Sequence, residues 1–248
     1  MNKIEQLIQN LCPNGVEFKT LGEVCEMKQG KLLSKRDINN GDIPIILYGE
    51  LYTTYGNYIK NIKSYSSIDK VSKSPIANYG DILLPLSSTT KEALIGKASA
   101  LMVDNVYIGG DTLILNHKQN VGFLVYIINS IWFNDLKMRF CVSGTTINHL
   151  NPQKLSQLKI PVPPLEVQNE IVRILDTFTE LEKELEKELE KELEKELEKE
   201  LEKELEKELE KELEKELEKR RAQYSFYRDK LLSFEELKKR SRGGQLDI

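Results

Sequence analysis

Residues 180–219 are ten consecutive copies of Glu-Leu-Glu-Lys, and this tract limits the chain more than any other feature. Leu, Glu and Lys are all good helix formers. Neither Pro nor Gly occurs from 165 to 242. One helix is therefore expected from about 165 to 234, roughly 105 Å long at ~1.5 Å per residue. Such a helix must act as a strut or pair with something. Leu recurs every four residues against ~3.6 residues per turn, so each copy rotates the Leu stripe by about 40°. The stripe circles the helix once in roughly 54 Å, whereas two-stranded supercoils have pitches of ~140–210 Å. Ten leucines can hardly all face one partner. Neighbours at i,i+4 are like-charged, and favourable pairs exist only at i,i+3, as in Glu180 with Lys183. The plain reading is a solvated helix or ordinary coiled coil. The functional reading is a spacer whose length is set by copy number, at ~6 Å per copy.

The tract also hides the charge of the rest. The whole chain of 248 residues carries -4. Each copy carries -1, so the tract carries -10 and the other 208 residues carry +6. About 160 residues precede the helix, enough for one domain with its own core. No apolar run reaches the ~18 residues of a membrane span. The first fifteen residues are broken by Glu5 and Gln6 and do not read as a signal peptide. Cys12, Cys25 and Cys141 are scattered and form no CxxC pair, which speaks against a zinc site or disulfide framework and for a reducing cytoplasm.

Ile4, Leu7, Ile8 and Leu11 share one face of a short amphipathic helix that ends at Cys12-Pro13-Asn14-Gly15. Short strands broken by Gly, Pro, Asn and Asp follow, with candidates at 43–48, 81–86, 93–95, 98–103 and 112–115. Residues 121–133 are apolar nearly all round and read as a buried helix. Asn151 and Pro152 open a helix over 152–158. Ile160 to Pro164 read as an extended stop before the long helix, with Ile171, Ile174, Leu175 and Phe178 on its first apolar stripe.

Catalytic motifs are scarce. Gly96-Lys97 lacks the upstream Gly and the following Ser/Thr of a phosphate-binding loop. Asn151-Pro152-Gln153 is not the Asn-Pro-Pro-aromatic motif of amino-methyltransferases. The Glu-x-Lys pairs at Glu17 and Glu26 lack a Pro-Asp at nuclease spacing. His117 and His149 are isolated and read as loop or hydrogen-bonding residues. Gly109-Gly110-Asp111 reads as a turn. Three polar segments instead suit DNA. Residues 28–36 carry Lys28, Lys31, Lys35 and Arg36, with Lys19 upstream. Thr89, Thr90 and Lys91 close a run of short donors, and Thr145, Thr146 and Asn148 repeat that chemistry. Lys and Arg neutralise phosphates, while Thr and Asn brace phosphates or read base edges. The bland alternative is that all three are ordinary solvated loops.

Motifs in order along the chain resemble half of a type I restriction-modification specificity subunit. They are Val16 to Val24, Gly41 to Ile45, Tyr48 to Gly56, Gly80 to Leu84, Ile95 to Ala98, Gly109 to Asp111 and Gly144 to His149. Gly144 to His149, with Leu155 to Pro164, Leu165 to Ile171 and Ile174 to Asp176 that follow it, forms the most specific part. The segment from Arg220 to Phe234 resembles the end of the family's conserved helix.

The resemblance implies an α+β protein: a globular, mixed α/β target-recognition domain over residues 1–164, then one very long α-helix over 165–234. The tail over 235–248 resembles nothing and is expected to be disordered. In the family this subunit reads double-stranded DNA, docks the methyltransferase and restriction/translocase subunits, and performs no catalysis. S-adenosylmethionine, ATP and magnesium would belong to those partners. The usual member has two recognition domains and two helices, whereas this chain has one of each. A homodimer with antiparallel helices would then read a palindromic, bipartite target. The alternatives are a non-catalytic coiled-coil adaptor, or a length variant that the ten-copy tract has switched off. A stand-alone nuclease or methyltransferase is opposed by the absent motifs.

Overall fold

The computed structural model describes residues 3–31, 33–88, 95–143 and 148–232. In chain order, the first part holds α1 (Lys3–Leu11), β1 (Phe18–Thr20), α2 (Leu21–Val24), β2 (Cys25–Gln29), β3 (Ile43–Ile46), α3 (Glu50–Thr53), β4 (Tyr58–Ile59) and β5 (Ser64–Ser66). Next come α4 (Ile68–Val71), β6 (Ile76–Ala77), β7 (Ile82–Pro85), β8 (Ser87–Ser88), β9 (Ser99–Leu101), β10 (Val106–Ile108) and β11 (Thr112–His117). The last part holds α5 (Val121–Asn129), α6 (Ile131–Leu136), β12 (Val142–Ser143), β13 (Asn148–Leu150), α7 (Pro152–Ser156), β14 (Lys159–Pro161) and α8 (Leu165–Leu232). A mixed α/β head followed by one very long helix is the observed architecture.

The core is built on a five-stranded sheet of order β2-β11-β7-β9-β4. Side chains alternate across it, as strand geometry demands. Ile82 and Leu84 of β7 and Leu113 and Leu115 of β11 enter one apolar cluster with Phe123, Leu124 and Phe133. Leu83 and Ile114, one residue away, enter a second cluster with Ile46, Val106 and Ile108 of the four-stranded sheet β5-β3-β10-β6. Burial on both faces explains why β7 is a continuous apolar run rather than an alternating one. A smaller cluster of Leu33, Ile45, Leu47 and Val71 lies on the far side of β3.

Local chemistry corrects three expectations. The strand expected over 43–48 stops at Ile46, because the Leu47 N–H donates to Glu50 Oε2 at 2.8 Å and turns the chain into α3. The helix expected over 121–133 is two helices. Ser130 sits at φ -65°, ψ 151°, and its hydroxyl accepts from the Phe133 N–H to cap α6. The stretch read as an extended stop contains β14, which pairs antiparallel with β1 through Ile160 and Lys19. Of the strand expected over 93–95, residues 93 and 94 lie outside the described residues, as does the tail from 235.

The chain divides into two compact units, Met1–Phe178 and Thr179–Ile248. The first includes the root of α8. Gln168 is wholly buried there; its amide donates to the Pro163 carbonyl and to Gln119 Oε1, both at 2.7 Å, and its Oε1 accepts from the Asn120 N–H at 3.0 Å. Glu170 pairs with Lys3 at 2.9 Å and Arg173 at 2.8 Å, tying α1 to the root. The second unit is helical from Thr179 to Leu232, and all ten repeat leucines are at least 49% exposed.

Candidate nucleic-acid interface

The four cations of the basic segment, Lys28, Lys31, Lys35 and Arg36, are all exposed. Lys28 lies on the edge strand β2, opposite Ile114. With Glu26 it lines a small polar crevice floored by Asn78, Asp81 and Asn116. Lys31 follows with its side chain exposed and its backbone held. Its N–H donates to the Ile108 carbonyl at 3.3 Å, and its carbonyl accepts from the Ser74 hydroxyl at 2.6 Å. Lys35 and Arg36 stand exposed on a short turn. The Ser34 N–H and hydroxyl both donate to Asp37 Oδ2 at 2.8 Å and close that turn. Lys19 is engaged by Glu17 at 3.1 Å.

Asn148 begins β13, opposite Ser88 of β8, in the three-stranded sheet β12-β13-β8. Thr89, Thr90, Lys91, Thr145 and Thr146 lie outside the described residues. The strands that lead to and from them are the paired β8, β12 and β13.

The turn at Gly109-Gly110-Asp111 brings the basic segment and this small sheet together. The Gly30 N–H donates to the Thr112 carbonyl at 2.7 Å, and the Leu86 N–H donates to the Asp111 carbonyl at 2.7 Å. A Cβ on Gly30 would run into the Gly109 carbonyl oxygen, so β2 and the turn meet backbone to backbone. Asp111 holds a left-handed φ of 57°, which Asp adopts more readily than most residues. Its Oδ2 accepts from the Ser87 hydroxyl at 3.3 Å, and Ser87 Oγ lies 2.9 Å from His149 Nδ1. Sequence reading passed over this chain of contacts. Its one sequence signal is the Gly-Gly-Asp turn, and the pairing of β8 with β13 cannot be read from local pattern.

Beneath the small sheet, Lys137 is wholly buried on a π-turn over Lys137–Cys141. Its ammonium group donates to the carbonyls of Ile95 at 2.8 Å and Gly96 at 3.0 Å. Burial pulls its pKa down to about 7, while the neighbouring Cys141 raises it slightly. His117 ends β11 with Nδ1 accepting from the Gln119 N–H at 3.1 Å, and burial holds its pKa below the ordinary value. Among the described residues there is no group of three or more His, Cys, Asp or Glu placed to hold a metal, and no helix is long and apolar enough to cross a membrane.

Residues 13–195 match the family model for the type I restriction modification DNA specificity domain, about three quarters of the chain. The chain belongs to that family. A putative type I restriction enzyme specificity subunit from Haemophilus influenzae is 41% identical over 166 residues, covering 65% of this chain and 40% of that one. The specificity subunit of a type I restriction enzyme from Escherichia coli is 28% identical over 176 residues, covering 67% of this chain and 41% of that one. This specificity-domain chain thus spans about 40% of the length of these two curated relatives. A solved structure titled for complex assembly and conformational transition of the type I R-M system aligns with a TM-score of 0.51 at 21% identity, over 72% of this chain and 44% of that one. That likeness is one of fold.

Proposed function

We propose that this chain is a DNA-sequence-specificity subunit of a type I restriction-modification complex and reads one half of a bipartite target. The observation that carries the reading is the DNA specificity domain match from residue 13 to 195. The recognition domain is placed at residues 1–164 and the spacer helix at 165–234. Lys28, Lys31, Lys35 and Arg36 hold phosphates; Asn148, with Thr89, Thr90, Lys91, Thr145 and Thr146, faces bases and backbone. The methyltransferase and restriction subunits dock on this chain and supply the chemistry, with their own cofactors.

Two copies complete the target by pairing their long helices antiparallel. The far end of α8 supports this arrangement: it carries Arg220, Arg221, Arg228 and Lys230 against Asp229, so parallel pairing would set like charges together. Antiparallel pairing sets that basic end by the root of the other copy, where Glu166 is exposed while Glu170 and Asp176 are already engaged by Lys3, Arg173, Tyr58 and Tyr126. Phe178 at the root and Tyr224 and Tyr227 at the far end are more than half exposed and are available to that contact. Twofold symmetry makes the target palindromic. The repeat then acts as a ruler, each copy moving the heads ~6 Å, or nearly ~2 bp.

The test is selection of duplexes from a randomised library by the purified full-length chain. An enriched motif with a fixed gap between inverted half-sites is expected. Helical self-association without any enriched motif would instead favour a coiled-coil adaptor.

A further inference from the structure

Three segments distant in sequence converge on one exposed imidazole. β13 sets His149 directly opposite Ser87 of β8. Ser87 is buried, and its hydroxyl links the His149 ring at 2.9 Å to the Asp111 carboxylate at 3.3 Å. His149 itself is exposed, so core packing does not account for so fixed a ring. His149 follows Asn148 on β13, and Asp111 belongs to the turn whose flanking residues Ile108 and Thr112 hold the backbone of Lys31 and Gly30.

We propose that His149 is a base-reading residue and that Ser87 and Asp111 are positioning residues that set its tautomer. The proposal rests on the DNA-reading function above and adds a named contact to it. A carboxylate only accepts, and a serine hydroxyl has one proton to give. With that proton donated to Asp111, Ser87 Oγ accepts from His149 Nδ1–H, and Nε2 carries the lone pair. With Nδ1 engaged, the ring addresses a ligand only through Nε2. In the major groove a lone pair there suits an exocyclic amino group, N6 of adenine or N4 of cytosine. It does not suit O6 or N7 of guanine or O4 of thymine, which are acceptors themselves. His149 therefore selects an amino-bearing base at one position of each half-site.

The library selection, run on the full-length wild type and its variants, tests this. His149→Ala is expected to lose base preference at a single half-site position. Binding to the wild-type motif should weaken about tenfold, within the range of one base contact, with unchanged salt dependence and unchanged thermal unfolding. Ser87→Ala is expected to blur the same position. His149→Gln, whose amide oxygen also accepts, is expected to keep the amino-bearing base. A His149→Ala motif identical to the wild type at every position overturns the proposal, as does a loss of affinity equal for all sequences. If the wild type enriches a motif and only the His149 result fails, the DNA-reading function stands without it. If the wild type enriches none, both fall.

Discussion

Tyr58 donates its phenolic proton to Asp176 Oδ1 at 2.9 Å, joining β4 to the root of α8 across 118 residues of sequence. Tyr126 of α5 donates to the same oxygen at 2.7 Å. Both phenols are partly buried, so the carboxylate is held by two donors from two elements. Removing one donor leaves the other. Tyr58→Phe or Tyr126→Phe alone should cost ~1 kcal/mol, and the double variant more than the sum, because the last donor to a charged acceptor is then gone. Urea unfolding of the four proteins measures the coupling.

Glu170 gives the same root an acid sensitivity. Arg173 first and Lys3 second hold its pKa at about 2. The folded state thus binds this proton less tightly than the unfolded chain. The stability it contributes is complete above the ordinary carboxylate value and is lost as pH falls toward about 2. Glu170→Gln should flatten that part of the acid-unfolding profile, and melting scans between pH 5 and 2 would show it.

Lys137 acts in the opposite range. Its folded pKa of about 7 lies below the ordinary lysine value. Between the two values the unfolded chain holds a proton that the folded chain lacks, so stability rises as pH increases from about 7 toward ~10. Lys137→Met should remove that rise. It should also leave the Ile95 and Gly96 carbonyls without their donor, lowering stability at neutral pH by ~1–3 kcal/mol. Unfolding at a series of pH values separates the two effects.

The basic segment should be felt as a salt effect. Lys31→Ala and Lys35→Ala are each expected to weaken DNA binding on every sequence. Each should also lower the slope of log affinity against log salt by ~0.9. Unchanged affinity and slope in both would remove these residues from the interface. Both side chains are exposed, so stability should change little.

Much of the architecture was legible because local chemistry decided it. Ten identical good helix-forming units without Pro or Gly leave α8 few alternatives. The apolar runs of β7 and β11 could only be buried strands of their length. The break at Ser130 was hidden because the apolar run continues past it, and only the backbone shows the serine turning to cap α6. β2 carries a visible alternation, with Cys25 and Met27 turned inward between Glu26 and Lys28, yet two strong charges masked it. The candidate site was legible as chemistry and not as arrangement. Lys28 to Arg36 announce a cationic segment. The contact of Ser87, Asp111 and His149 depends on two strand registers that no local pattern fixes.

The central claim, that this chain directs DNA modification to one sequence, is tested most directly by mapping modified bases across the genome of the source cell with and without the gene. A palindromic, bipartite modified motif should disappear on deletion. With the tract cut from ten copies to seven, the gap between its halves should shorten by ~5 bp, at ~6 Å per copy. A map that is the same with and without the gene, at both tract lengths, would contradict the account.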